Sequence, residues 1–187
     1  GPTISDDIKK DATIAITLSL LMIFLYIMVR FHNWKYGLGG VLSLAHDAIL
    51  TLGAFSLFHG IVPFSLEIDQ SFVAAILTII GYSINDTVVI FDRIREYLKI
   101  YPKRDVKDNM NHAMNSTLRR TLNTGFTTML VLAVIFVFGG TTLRGFVFAM
   151  LVGVGVGIYS TAFVATPIVY DAMLKSRKKE GALAKAN

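Results

Sequence analysis

Five long apolar runs constrain this chain more than any other feature. They cover about residues 13–30, 38–58, 70–91, 121–139 and 145–171 of the 187. Each is close to the ~20 residues that a helix needs to cross a bilayer core. The last is longer, so it tilts or its end leaves the membrane. Backbone groups in hydrocarbon must pair within their own segment, which leaves helices as the economical choice. A closed barrel would need ~10-residue alternating strands, and these runs are continuous. With 53% hydrophobic and 17% charged residues, the chain is too apolar for a soluble domain of this size. The expected class is all-α and integral to a membrane.

The basic residues set the orientation. Arg30 and Lys35 lie between the first two runs. Arg93, Arg95, Lys99, Lys103, Arg104, Lys107, Arg119 and Arg120 lie in the 92–120 connection, and five more lie in the tail at 173–187. Only Lys9, Lys10 and Arg144 of the 18 Lys and Arg fall on the other side. The positive-inside rule then puts the N-terminus outside and the C-terminus in the cytoplasm. The +5 net charge is therefore a topology signal, met by solvent and membrane lipid, and no nucleic-acid partner is expected. The chain has no cysteine, so disulfides and thiolate chemistry do not arise. Gly1–Pro2 reads as a protease scar, and residues 3–12 as a periplasmic lead-in cut from a longer protein.

Residues 92–100 (DRIREYLKI) read as a continuation of the third helix out of the membrane, broken at Tyr101–Pro102. Residues 105–120 are amphipathic and lead helically into the fourth span. The outer connections, 59–69 and 139–144, are too short to fold as a domain.

Asp86 is the costliest residue. It sits in SFVAAILTIIGYSINDTVVIF (71–91), where an ionised acid costs upwards of roughly 2.5–3.5 kcal/mol at mid-bilayer. Such an acid marks an ion path, a proton relay or a paired charge. A neutral carboxylic acid bonding a neighbouring helix is the plainer reading. Ser83, Asn85 and Thr87 join it in a polar cluster across the apolar helix. On the fourth run Thr117, Thr121, Thr124 and Thr128 recur at helical spacing, bordered by Arg120, Asn123 and Thr127. That face should point into the bundle. Asp86 lies about 9 Å inside the boundary at Asp92, and Arg120 about one turn inside it. A pair between them is geometrically plausible. Snorkelling of Arg120 to lipid phosphate is the equal alternative.

His46–Asp47 places a second acid, beside a titratable ring, in the second run. A proton route and a helix whose polar groups bond a neighbour fit it equally. No HExxH occurs, and no second His lies at i+3 or i+4, so a metal site is not expected. Gly153 and Gly157 form a small-xxx-small face for close helix packing.

Four stretches together resemble the SecF side of the SecD/SecF family of protein-export membrane proteins. They are GYSINDTVVIFDRIRE (Gly81–Glu96), NSTLRRTLNTGFTT (Asn115–Thr128), the His46–Asp47 pair and GVGVGIYSTAFVATP (Gly153–Pro167). A complete family member resembles an RND-type half-transporter, with six transmembrane helices and a periplasmic domain between the first two. The resemblance implies that this chain holds the second to sixth helices and lacks the first helix and that domain. It also implies a bacterial inner-membrane location, a SecD partner (separate or fused), proximity to the SecYEG translocon, and exported preproteins as cargo. Asp86 matches the acid of the family's NDT motif, and Arg120 the second Arg of its RRT motif. Both are implicated in proton conduction, with protons as the coupling ion and no other cofactor. No bond of the cargo is broken, so the implied activity is transport and not enzymatic catalysis. Two other classes stay open: another RND-type exporter of lipid or small molecules, and a non-transporting membrane scaffold.

Overall fold

Each apolar run closes its backbone hydrogen bonds within itself, and the computed structural model shows the result as long helices. It describes the backbone of residues 2–186 and the side chains of residues 7–176. Gly1 and the tail side chains beyond Ser176, including Arg177, Lys178, Lys179 and Lys185, lie outside the described residues. The elements are α1 (Pro2–Phe31), α2 (Trp34–Phe58), α3 (Gln70–Ile100), α4 (Val106–Phe138) and α5 (Thr141–Ser160). A π-helical turn, Thr161–Ala165, joins α5 to α6 (Thr166–Ala186). Among the described residues, five helical stretches are long and apolar enough to span a membrane.

Local chemistry fixes the helix ends. Pro2 opens α1, where its missing N–H costs nothing. His32, at φ 52°, turns the chain in the left-handed region. The Asn33 side chain then caps α2 by accepting from the Lys35 N–H at 3.1 Å. Asp69 caps α3 through the Phe72 N–H at 2.9 Å, and Asp105 opens α4 through the Val106 N–H at 2.9 Å. Helical structure begins well before residue 13, because nothing in residues 3–12 breaks it.

With 31 and 33 residues, α3 and α4 are about 46–50 Å long at 1.5 Å per residue. That exceeds the ~30 Å hydrocarbon core. Their basic ends therefore stand clear of it as a hairpin, closed by the turn at 101–105. The Asn109 side chain donates to the Tyr101 carbonyl at 3.0 Å, and the Arg104 guanidinium lies 4.2 Å from the Tyr101 ring centre. Asp92 holds Arg30 of α1 at 2.9 Å and Arg95 at 3.2 Å, and Arg93 holds Glu96 at 2.6 Å. All are partly exposed, so each contributes little to stability.

α5 is central and touches α2, α3 and α4. An apolar cluster built on Phe55, Phe72, Ile76, Ile79 and Met150 fills the end nearest the 59–69 turn. A second, built on Phe31, Tyr36, Phe91, Ile94 and Val169, fills the basic end. Between Ile80 and Ile90 of α3 the packing turns polar, and the candidate site lies there. The π turn falls just before Pro167, which has no N–H to give and whose ring would crowd the carbonyl four residues back. Across the turn the Thr166 hydroxyl donates to the Thr161 carbonyl at 3.1 Å.

Candidate functional site: two buried acids on neighbouring helices

The helical period decides which polar residues of α3 meet the interior. Ser83, Asp86 and Thr87 are buried, and Asp86 is only 4% exposed. Asn85 is exposed. It lies about 200° around the helix from Ser83 and Thr87, so it leaves the expected polar cluster and faces outward. Asp86 Oδ1 is buried and has no hydrogen-bond partner. An orphaned carboxylate oxygen in a bundle core is rare.

Arg120 is exposed on α4 and forms no ion pair with Asp86. Among the described residues the ion pairs are Arg30–Asp92, His46–Asp47, Arg93–Glu96 and Arg95–Asp92. Arg120 is nevertheless close enough for its charge to bear on Asp86 without a direct contact. The two are brought to one neighbourhood and left unjoined.

The threonine face of α4 divides in two. Thr117 and Thr121 are buried, and Thr124 and Thr128 are half-buried. The Tyr82 hydroxyl of α3 meets the Thr128 hydroxyl at 3.0 Å and donates to the Thr124 carbonyl at 3.2 Å. Thr121 Oγ1 is buried without a partner. It lines a cavity of about 160 Å³ with Ile90, Leu118, Ile158 and Ala162. Ile90 is one turn from Asp86, and the cavity has room for a few waters at ~30 Å³ each. Asn123 and Thr127 are exposed, like Arg120.

The second acid sits deeper. Asp47 is fully buried, and its Oδ2 accepts from the Ser83 hydroxyl at 2.8 Å. His46 Nδ1 lies 3.2 Å from Asp47 Oδ1. The Thr87 hydroxyl donates to the Ser83 carbonyl at 3.1 Å and meets the Thr161 hydroxyl at 3.1 Å. Gly157 makes room for this arrangement. A Cβ there would lie 3.1 Å from Ser83 Oγ and 3.6 Å from Asp47 Oδ2. A Cβ on Gly153 would overlap the Ile79 side chain. Both glycines therefore set the approach of α5 to α3, whereas Gly155 meets only Met129, at 3.9 Å.

Sequence reasoning missed Tyr82, Ser160, Thr161 and Gly125. Ser160 and Thr161 lie in the stretch that carried the resemblance, but their partners are on α2 and α3. Gly125 admits Ile158, which would collide with a Cβ at that position. Among the described residues no group of three His, Asp or Glu comes together as a metal site would require.

A family model described as "Protein export membrane protein SecD/SecF, C-terminal" matches residues 1–175. The chain belongs to this family. It is 52% identical over 171 residues to the protein translocase subunit SecF of Rhodothermus marinus, covering 91% of this chain and 55% of that protein. It is 42% identical over 180 residues to the protein translocase subunit SecDF of Brucella abortus, covering 96% of this chain and 23% of that protein. The crystal structure of SecDF from Thermus thermophilus, a translocon-associated membrane protein, superposes with a TM-score of 0.83 at 37% identity. That match covers 92% of this chain and 23% of the other. The chain thus spans about half the length of its SecF relatives and a smaller part of the SecDF ones. The fold is an all-α, multi-pass membrane domain of this family.

Proposed function

We propose that this chain is the membrane core of a SecF-type subunit that uses the proton gradient to assist export of unfolded proteins. The observation that carries the reading is the orphaned, buried Asp86 oxygen on a membrane-spanning helix, within electrostatic reach of Arg120. A carboxyl without a fixed partner can bind and release a proton without first breaking a hydrogen bond. Protonation would remove the attraction to Arg120, and deprotonation would restore it. The α3–α4 packing would follow that change. One proton carries ~2.3 kcal/mol per 100 mV, a useful part of the few kcal/mol that separate two packings.

The exposed polar residues support a protein partner in the membrane. Asn85 on α3 and Arg120 and Asn123 on α4 would be expensive against lipid tails. A SecD half, separate or fused, is the partner proposed for these exposed positions. SecYEG and preproteins complete the machinery. The location proposed is the bacterial inner membrane, with residues 59–69 in the periplasm and the 101–105 turn and the tail in the cytoplasm.

The test is gradient-dependent export by the full complex. Asp86→Asn keeps size and hydrogen bonding but cannot titrate. It is expected to abolish the gradient-dependent part of export while the folded amount in the membrane stays the same. Arg120→Gln removes the charge that acts on Asp86 and should be impaired as well, while Arg120→Lys keeps that charge on a different geometry and should retain part of the activity. Full gradient-dependent export in the Asp86→Asn complex would refute the relay.

A further inference from the structure

Asp47 raises a question that helix packing does not answer. An Asn at this position could accept from Ser83 and bond His46 with no charge to bury. An acid is the expensive choice, and inside a membrane it is retained for what it binds.

The surroundings make that binding specific. Residues 46 and 47 are about 100° apart around α2, so one can be interior while the other reaches the edge. Asp47 is 0% exposed, and the His46 side chain is 31% exposed. From α3 the carboxylate faces Ser83, and from α5 it faces Ser160 and the bare Gly157. Among the described residues, neither helix turns a charged or titratable group toward it, and His46 on its own helix is the one titratable group that acts on it. The pair can therefore hold no proton, one or two, with net charge −1, 0 or +1. His46, the outer member, is open to the surroundings, and Asp47 is closed off behind it.

The pair is also linked to the Asp86 helix and to the π turn. Ser83 is one turn from Asp86 on α3. Thr87, one turn beyond Ser83, meets Thr161, the first residue of the π turn. Such turns recur at functional sites. A change of charge at Asp47 would alter the bond from Ser83, and with it the fit of α3 against α5.

We propose that Asp47 and His46 form a second proton-binding site, with His46 as its port and Ser83 as its link to the Asp86 helix. Its use in export rests on the proton-coupled reading above; the protonation itself does not.

The experiment is pH-difference infrared spectroscopy of the full-length complex in lipid vesicles, reading the C=O stretch of protonated carboxyls. Asp47→Asn is expected to remove one titrating component, distinct from the one removed by Asp86→Asn. Ser83→Ala should shift the frequency of the Asp47 component, and His46→Gln should move its midpoint. Titrating bands identical to the unsubstituted complex in Asp47→Asn would overturn the proposal. Should Asp47→Asn not accumulate in the membrane, Ser83→Ala and His46→Gln decide, and unchanged carboxyl bands in both would overturn it. Loss of the Asp86 component together with retained export refutes the relay alone and leaves the second site standing.

Discussion

Gly153→Ala is the sharpest test of how α5 packs. The added methyl would overlap three atoms of the buried Ile79 side chain. Ile79 is 1% exposed and belongs to the apolar cluster with Ile76, Ile80 and Met150, so it has little room to yield. Overpacking of this kind costs about 1–3 kcal/mol. Ala also gains up to about 1 kcal/mol over Gly in helix propensity, which blurs the single measurement. Gly155→Ala removes that ambiguity. It sits two residues away in the same helix, gains the same propensity, and meets only Met129 at ordinary contact distance. The difference between the two variants is then the steric cost alone, about 1–3 kcal/mol, or a factor of roughly five to two hundred in the unfolding equilibrium. Reversible unfolding in mixed micelles, followed by far-UV circular dichroism, measures it. Equal stabilities for Gly153→Ala and Gly155→Ala would refute the close α3–α5 approach.

Two further outcomes follow from the charge distribution and from the missing partner. Cysteines placed at Ser65 and Ser176 should react oppositely with an impermeant thiol reagent in intact spheroplasts, with only Ser65→Cys labelled. Labelling of both, or of Ser176→Cys alone, would invert the proposed topology. Reconstituted alone, the chain should leave a pH gradient across vesicles standing, because the exposed polar residues Asn85, Arg120 and Asn123 then meet no protein partner. Rapid, Asp86-dependent collapse would show that these helices suffice as a proton path.

The parts legible in the sequence were those that a bilayer enforces locally. Asp86 stood out because its neighbours are apolar, and it is buried. The buried positions Thr117 and Thr121 followed from a four-residue spacing. The continuation of α3 past Asp92 and the entry into α4 before Arg120 were also readable, from the amphipathic pattern and the break at Tyr101–Pro102. Asn85 was misplaced because a polar cluster in sequence is not a cluster on a helix. Arg120 was read as bordering an inward face, and its side chain is exposed.

The sequence by itself determined the number of spans, the all-α class, the family and the identity of both acids. Those depend on length, apolarity and the need of each backbone to satisfy itself, all local matters. Only the tertiary structure decided how the helices are rotated against one another. It left Asp86 Oδ1 without a partner, gave Asp47 the Ser83 hydroxyl of another helix, and opened the gap at Gly157 that Ser83 and Asp47 occupy. The physical reason is that lipid is as apolar as the inside of a bundle. Hydrophobic pattern therefore cannot tell the inner face of a membrane helix from its outer one. Close packing and hydrogen bonds between helices make that choice, and they exist only once the helices have met.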